Sequence, residues 1–418
     1  MSFAEKTILW IYGFLVFVWV IRHIALSWIK QSLHKLTRSS PRRDRQNLPR
    51  VTAIIPAKDE EDTLSGCLES ICAQTYAALE ILVVNDRSTD STAQIAEHWQ
   101  SRDDRVRLIP IHDLPKGWTG KTHALHVATR EASGDWLWFV DSDTRHHADA
   151  LAIMMEYGRS QQASLVSLMP ELRCETFWEK VLQPLEGIVL MRSFSPLAVN
   201  NDASKVGFAN GQCLLVEAKA YHEVGGHDAV RGRFVEDIYL AQNLKSSGHR
   251  IRLALGTDIS STRMYTSLDQ IVRGWSRILY DALGRRPGPL LGKIIEPLIF
   301  GQSGEFALAA SVVALCVGAT SPFWWTLFGL SLLHQVLKSS MLFRLFHLNA
   351  PRTAWHALWY PLAGIVSAWI SFDAIRSCLT GRVTWRGTHY QPAIDTTRAP
   401  LDTAQARGKP IAITHETT

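Results

Sequence analysis

Cysteine is scarce in this 418-residue chain, and the six it has, Cys67, Cys72, Cys174, Cys213, Cys316 and Cys378, form no CxxC pair and no zinc-type spacing. That excludes a disulfide framework and a structural metal site, leaving reduced thiols as the expectation. Internal repeats and long low-complexity segments are missing too, which excludes a solenoid. Charge of one sign is in little excess: the net charge is +5, and much of the imbalance is local. Lys30 to Arg50 carries seven basic residues against Asp44 alone. A nucleic-acid arm is the rival reading of this patch. It follows a hydrophobic segment directly, however, where basic residues mark the cytoplasmic flank of a membrane helix, so no nucleic-acid partner is expected.

Apolar residues are plentiful, at 46%, and concentrate at the two ends of the chain. Thr7 to Ile21 is uncharged, and extension to Ile29 gives 23 residues, a helix of about 34 Å, enough to span hydrocarbon. Its positive flank lies after the apolar run rather than before it, which favours an uncleaved anchor over a signal peptide. The C-terminal third offers Phe306–Pro322, Phe323–Leu337 and Ala354–Phe372 as further spans, the first two forming a helical hairpin. Pro287 to Phe300 mixes leucine and isoleucine with Lys293 and Glu296, a pattern suited to a helix in the membrane interface. The expected organisation is an anchor over residues 1–30, a basic linker over 31–50, a soluble domain over 51–286, an interfacial helix over 287–305, membrane helices over 306–376 and a polar tail over 377–418 that is loosely ordered from about His389.

Between the ends, short β-branched runs alternate with polar helical stretches, which argues for a mainly parallel α/β sheet. The strand Val51–Ile55 ends at Pro56 and leads into Ala57-Lys58-Asp59-Glu60-Glu61. A second, Ile81–Val84, terminates in Asn85-Asp86. Asp59 and Asp86 therefore stand at the carboxyl ends of strands, where open α/β sheets bind ligands, and they suit hydrogen bonds from a nucleobase or ribose. A third strand, Trp136–Val140, is a continuous apolar run ending in Asp141-Ser142-Asp143. Two carboxylates so spaced can present oxygen ligands to Mg²⁺ or Mn²⁺, although a solvated turn produces the same triplet.

Ile54-Ile55-Pro56-Ala57-Lys58-Asp59-Glu60, Val83 to Asp90 and Phe139-Val140-Asp141-Ser142-Asp143, in that order, resemble the motifs of glycosyltransferase family 2. The resemblance covers roughly Val51 to Arg277. It implies a GT-A, Rossmann-like domain that takes a sugar from a nucleotide-sugar donor, a UDP-sugar in the first instance, with a divalent metal. By resemblance Asp59 and Asp86, with Pro56 and Glu60 beside them, contact base and ribose, while Asp141 and Asp143 handle phosphates and metal. Lys121, in the glycine-bearing loop Leu114–Lys121, is similar to the family's Gly-x-Lys segment and suits donor phosphate. In Phe234–Ile238 the family's acidic pair places Asp237 as the base of an inverting transfer, with Glu236 in support. A helix N-terminus that favours acids accounts for the same pair.

Asn210, in Phe208–Cys213, resembles a position lining the donor sugar. Gln270-Ile271-Val272-Arg273-Gly274-Trp275 is similar to the family's Gln-x-x-Arg-Trp motif but has Gly274 inserted. That departure puts the register of Trp275 in doubt, and Arg277 becomes an alternative phosphate partner. His146, His147, His222 and His227 read as surface histidines. The order of anchor, domain and hydrophobic hairpin resembles hopene-associated and carotenoid glycosyltransferases, which implies a lipid or terpenoid acceptor and a multi-pass protein of the inner membrane with its domain in the cytoplasm. A processive polysaccharide synthase and a non-catalytic membrane scaffold are the competing functions. The first needs a transmembrane path for polymer, and the second has no reason to keep clustered acids that repel one another.

Overall fold

The computed structural model describes residues 1–42, 48–385 and 388–390. The basic residues Arg43 and Arg45 of the linker and the tail beyond Tyr390 lie outside the described residues. The strands are β1 (Val51–Ala57), β2 (Leu79–Asp86), β3 (Val106–Ile111), β4 (Trp136–Val140), β5 (Thr144–His146), β6 (Leu165–Met169), β7 (Glu171–Leu172), β8 (Cys213–Glu217), β9 (Ile251–Leu255), β10 (Ser260–Thr262), β11 (Val383–Trp385) and β12 (Thr388–Tyr390). Seven of them form one sheet in the order β3-β2-β1-β4-β8-β6-β9. β8 alone runs antiparallel to its neighbours, so the mainly parallel α/β class expected from the sequence is the class observed.

The continuous apolar runs explain this architecture. β1 and β4 bury residues on both faces, so helices must cover both sides. One layer packs Leu64, Leu68, Ile71, Ile153 and Met154 against the sheet; the other packs Ala124, Leu125, Leu240 and Leu244. The strand order reverses at β1, whose neighbours are β2 and β4, and this opens a crevice beyond their carboxyl ends. A small sheet, β5-β10-β7, lies just past β4, so Asp141-Ser142-Asp143 bridges the two sheets.

The first helix, Phe3–Ser32, is joined to the domain by backbone pairing: Leu36 N–H donates to Leu255 O and Leu255 N–H to His34 O, each at 2.8 Å. The juxtamembrane segment thus covers the exposed edge of β9. All six cysteines are free. Among the described residues, three helices are long and apolar enough to cross a membrane: Phe3–Lys30, Pro287–Cys316 and Pro351–Thr380. The boundary expected at residue 305 falls within a continuous run, because a π turn at Leu298–Gln302 follows Pro297 and carries Pro287–Pro297 on into Ser303–Cys316. Proline's missing N–H removes one bond from the ladder, and the wider turn accommodates that loss.

The expected span at Phe323–Leu337 belongs to a longer helix, Pro322–Asn349, which carries polar groups on its packed side. Lys338 is almost wholly buried and pairs with Glu305, its ammonium 5.1 Å from the centre of the Tyr360 ring. His334 is buried between Tyr12 and the Phe300 carbonyl. A buried pair is costly to break singly, because the surviving charge keeps its desolvation penalty. Lys338→Ala is therefore expected to destabilise the protein by on the order of 3 kcal/mol, whereas Lys338→Met combined with Glu305→Gln loses much less. Thermal melting of both variants in detergent checks this, and equal losses would contradict it.

Candidate active site

Four elements deliver side chains to the crevice. The helix Gly120–Glu131 begins at its mouth, capped by Thr119, whose hydroxyl accepts from Thr122 N–H at 3.3 Å. That start aims Lys121 into the crevice, where Nζ lies 2.8 Å from Asp141 Oδ1 and 2.9 Å from Glu236 Oε1. β4 supplies Asp141, and the helix Glu236–Ser246 supplies Glu236 and Asp237 in its first turn, where the helix dipole favours acids. The lining is completed by Pro56, Leu125, Phe139, Val140, Gly211, Leu214 and His227.

Glu236 and Asp237 are held in different ways. Glu236 is buried and neutralised by Lys121. Asp237 takes backbone amides instead: Gly211 N–H donates to Oδ2 at 2.6 Å and Ile238 N–H to Oδ1 at 2.8 Å. Burial, then the charge of Glu236, pushes the Asp237 carboxyl up to about 7 against the opposing pull of Lys121 and the two amides. Burial by itself would lower the Lys121 pKa, but Asp141, Glu236 and Asp237 hold its ammonium well above the ordinary lysine value.

Asp143 lies deeper, its Oδ1 3.3 Å from the Thr262 hydroxyl of the small sheet. Burial, then the carboxylates of Asp141 and Glu60, pushes Asp143 up to about 8. Glu60 is oriented by the Thr63 hydroxyl at 2.8 Å.

Farther along the rim, Asp59 and Arg87 both adopt positive φ, 52° and 56°, uncommon for residues with a Cβ. Lys58 ties the two turns together by donating to the Arg87 carbonyl at 2.9 Å, and Asp59 Oδ1 accepts from Thr89 N–H at 2.8 Å. Asp86 is buried and gripped by Arg87 through two hydrogen bonds of 2.7 and 3.1 Å. Local strain of this kind persists where surrounding contacts over-determine it, and it concentrates at ligand sites.

Other expected residues sit elsewhere. The Asn210 side chain closes its own turn, its Oδ1 accepting from Gln212 N–H at 3.1 Å. Gln270, Arg273 and Trp275 do not line the crevice. Gln270 Oε1 accepts from Thr266 N–H at 3.0 Å, Arg273 is exposed and pairs with Asp269, and Trp275 is buried, donating to Gln183 Oε1 at 2.9 Å. The inserted glycine explains this register. Gly274 lies under the Tyr265 ring, so close that a Cβ would collide with it, and the next residue turns about 100° around the helix into the core. Arg277 stacks on Trp385, 4.2 Å from its ring centre.

Two histidines read as surface residues are buried. His227 receives or donates a 2.8 Å hydrogen bond with the Tyr221 hydroxyl and lines the crevice, and burial lowers its pKa to about 3, keeping the ring neutral. His146 is packed on Trp138 and bonded to Thr144 at 3.0 Å. A lone histidine in sequence carries no mark of such burial. Tyr390 was also not foreseen: it lies in β12, paired with β11, rather than in a loose tail, and its hydroxyl accepts from Gly120 N–H at 3.2 Å.

The family model for glycosyl transferase family 2 matches residues 52–225. Residues 52–225, less than half of the chain, are thus identified as a family 2 glycosyltransferase domain. Asp59, Asp86, Lys121, Asp141, Asp143 and Asn210 lie within the matched residues, whereas Glu236 and Asp237 lie beyond them and owe their place in the site to geometry. The chain is 27% identical over 272 residues to the 4,4'-diaponeurosporenoate glycosyltransferase of Staphylococcus aureus strain MRSA252, covering 64% of this chain and 68% of that protein. Among solved structures it resembles the mannosyltransferase PcManGT from Pyrobaculum calidifontis, in complex with GDP-Man and Mn²⁺, with a TM-score of 0.50 and 19% identity over 80% of this chain and 98% of that one. The latter likeness is one of fold, the GT-A type.

The register account of the Gln270 segment is testable by itself. Gly274→Ala should cost about 1–3 kcal/mol through overpacking against Tyr265, and Tyr265→Ser should recover most of the loss. Thermal unfolding of the single and double variants checks it; an unperturbed Gly274→Ala melt would show that the ring does not set the register.

Proposed function

We propose that the protein transfers a sugar, with inversion, from a nucleotide-sugar donor to an apolar terpenoid acceptor at the membrane. The observation that carries this reading is the convergence of Lys121, Asp141, Glu236 and Asp237 in one crevice at the switch of a GT-A sheet. Asp59 and Asp86 receive the base and ribose at the outer end of the crevice. Lys121 lies where the donor diphosphate enters, and the N-terminal end of its helix adds a partial positive charge.

A divalent cation fits between Asp141 and Asp143. Asp143 is crowded by Asp141 and Glu60, and carboxylates so placed repel one another unless a proton or a cation joins them. Asp141 and Asp143 would hold the ion together with oxygen atoms of the donor's phosphates, since no group of three His, Cys, Asp or Glu side chains able to hold one is present among the described residues. When bound, Mg²⁺ or Mn²⁺ stabilises the charge that develops on the departing nucleoside diphosphate.

Asp237 is the base. Its carboxylate, fixed by the Gly211 and Ile238 amides, takes the acceptor's hydroxyl proton as that oxygen attacks the anomeric carbon. Glu236 serves by holding Lys121 in place. The apolar terpenoid class of the acceptor rests on the relative named for 4,4'-diaponeurosporenoate, itself a carboxylate, and on the apolar helices that flank the domain; the hydroxyl is inferred from the base, because a carboxylate would need none. The basic residues after the first helix favour a cytoplasmic domain in an inner-membrane protein, where nucleotide sugars are made.

Purified full-length protein, supplied with UDP- and GDP-sugars and a terpenoid alcohol, should release nucleotide only when divalent cation is present, and Asp143→Ala should be inactive but folded. Full turnover in excess chelator rejects the metal. Because the working form of Asp237 is the deprotonated one, kcat/KM should fall as pH drops below about 7, the value to which its carboxyl is raised. Asp237→Asn should lower transfer by about two to four orders of magnitude while keeping nucleotide affinity, and Glu236→Gln should do less. A near-normal rate for Asp237→Asn removes it as the base.

A further inference from the structure

We propose that the helix Tyr360–Thr380 does not cross the membrane but lies along its surface, forming an apolar ledge on which the catalytic domain rests. Its composition suits a crossing helix, but its position does not. Both ends are held against the soluble domain. Before the helix, Arg352 pairs with Glu171 of β7 at 3.5 Å, and the Trp359 ring meets Phe177 at 5.3 Å. After it, Trp385 stacks on Arg277, and Tyr390 accepts from Gly120 N–H beside the donor crevice. The middle is tied as well, since the Ser276 hydroxyl donates to the Ile370 carbonyl at 3.1 Å. A helix that starts, continues and ends against one domain remains on that domain's side.

The side chains sort as this placement requires. Ala363, Gly364, Ser367, Ile370, Ser371 and Ala374 are buried, Ile370 against Ser276 of the domain and Gly364 against Gln302 of the π turn. Trp355, Leu358, Leu362, Ile365, Trp369 and Phe372 are exposed, with Leu379 two turns farther on. From Leu362 on, these positions are spaced alternately three and four residues apart, which makes one stripe along the α-helix; Trp355 and Leu358 belong to the 3-10 turns before it. Trp369 is 57% and Ile365 67% exposed, a burden that water does not tolerate over such a length. Tryptophan at this frequency belongs at the bilayer interface, and the stripe's occupant is lipid.

The remaining crossings then fall into order. Phe3–Ser32 enters, Pro287–Cys316 leaves through the uncharged turn Val317–Ser321, and Pro322–Asn349, which is less apolar than those two, returns packed on the first helix through Phe323 and Leu327. Its return brings Arg344 to Ser27 at 3.0 Å, near the end of the first helix that joins the domain. Arg352, Arg376 and Arg382 all lie on the domain's side, as the positive-inside rule requires. The C-terminal hairpin is therefore also on that side. This inference rests on membrane association and not on the chemistry of the crevice, so it stands or falls separately from the transfer reaction.

Spin labels placed singly at Ile365, Phe372 and Leu379 of the full chain in liposomes test it. Relaxation by oxygen and by a water-soluble nickel complex should give one shallow depth, about 5–10 Å, for all three. A crossing helix would separate Ile365 from Leu379 by about 21 Å along the normal, and that result overturns the proposal. All three positions are exposed, so labelling leaves the packing intact. In intact cells, a cysteine introduced at Arg382 should share the reactivity of one introduced at exposed Gln100 toward an impermeant maleimide, and one at Ala319 should show the opposite. Opposite reactivity of the Arg382 and Gln100 positions also overturns it.

Discussion

The ammonium of Lys121 is the contact on which the crevice depends. It holds Asp141, from the end of a central strand, and Glu236, from a helix 95 residues later, within 2.9 Å of one atom. Without a cation between them those carboxylates would repel across a partly buried space. The lysine therefore does two jobs. It closes the α/β domain across the crevice, and it pairs with Glu236, leaving Asp237, one residue on, to the backbone amides of Gly211 and Ile238. Asp143, out of reach of that lysine's hydrogen bonds, is the carboxyl driven furthest upward, and it is where positive charge from outside the chain is most wanted.

The sheet explains why the acids meet there. Parallel strands bring their carboxyl ends to one rim, and the reversal of strand order at β1 parts the helices on the two faces just where Asp59 and Asp141 emerge. Lys121 reaches that point because Thr119 ends a loop and begins a helix at the rim. The strained backbone at Asp59 and Arg87 belongs to the same economy of space: two turns lie so close that Lys58 bridges them. Asp86 is consequently presented as a fixed, half-neutralised acceptor, not a mobile charge.

Much of this was legible in the residues. Apolar runs with acids at their ends revealed the strands, the rim and the pair Asp141 and Asp143, because burial on both faces leaves a direct mark on composition. Helix packing leaves a weaker one. Trp275 and Arg273 stand in a familiar order in sequence, but a single glycine under Tyr265 sends one into the core and the other to the surface. Tyr390 and His227 were invisible for a different reason: Tyr390 gains its place from Gly120 and His227 is packed on Phe139, both far off in sequence, and no periodicity encodes such a meeting. Pro351–Thr380 shows the limit most clearly, since apolar length says that a helix can enter lipid but not in which direction it lies.

That direction matters for the chemistry. Drawing an apolar chain from bilayer into water costs about 0.8 kcal/mol for each methylene, so a long terpenoid could not reach an aqueous crevice at a useful rate unless the protein met it at the interface. A nucleotide sugar has the opposite preference, as its phosphates cannot enter hydrocarbon. An enzyme joining the two needs a polar crevice and an apolar surface fixed at a short distance. In this chain the helix Leu268–Ala282 provides that fixture: Ser276 on one side is bonded to the apolar ledge, while Asp281 on another binds the amides of Phe234 and Val235 at 2.6 and 3.2 Å. Those amides immediately precede Glu236 and Asp237. On the proposed placement, the depth of the ledge and the height of the proposed base are both set by this one helix, and its buried Asp281 is the link between them.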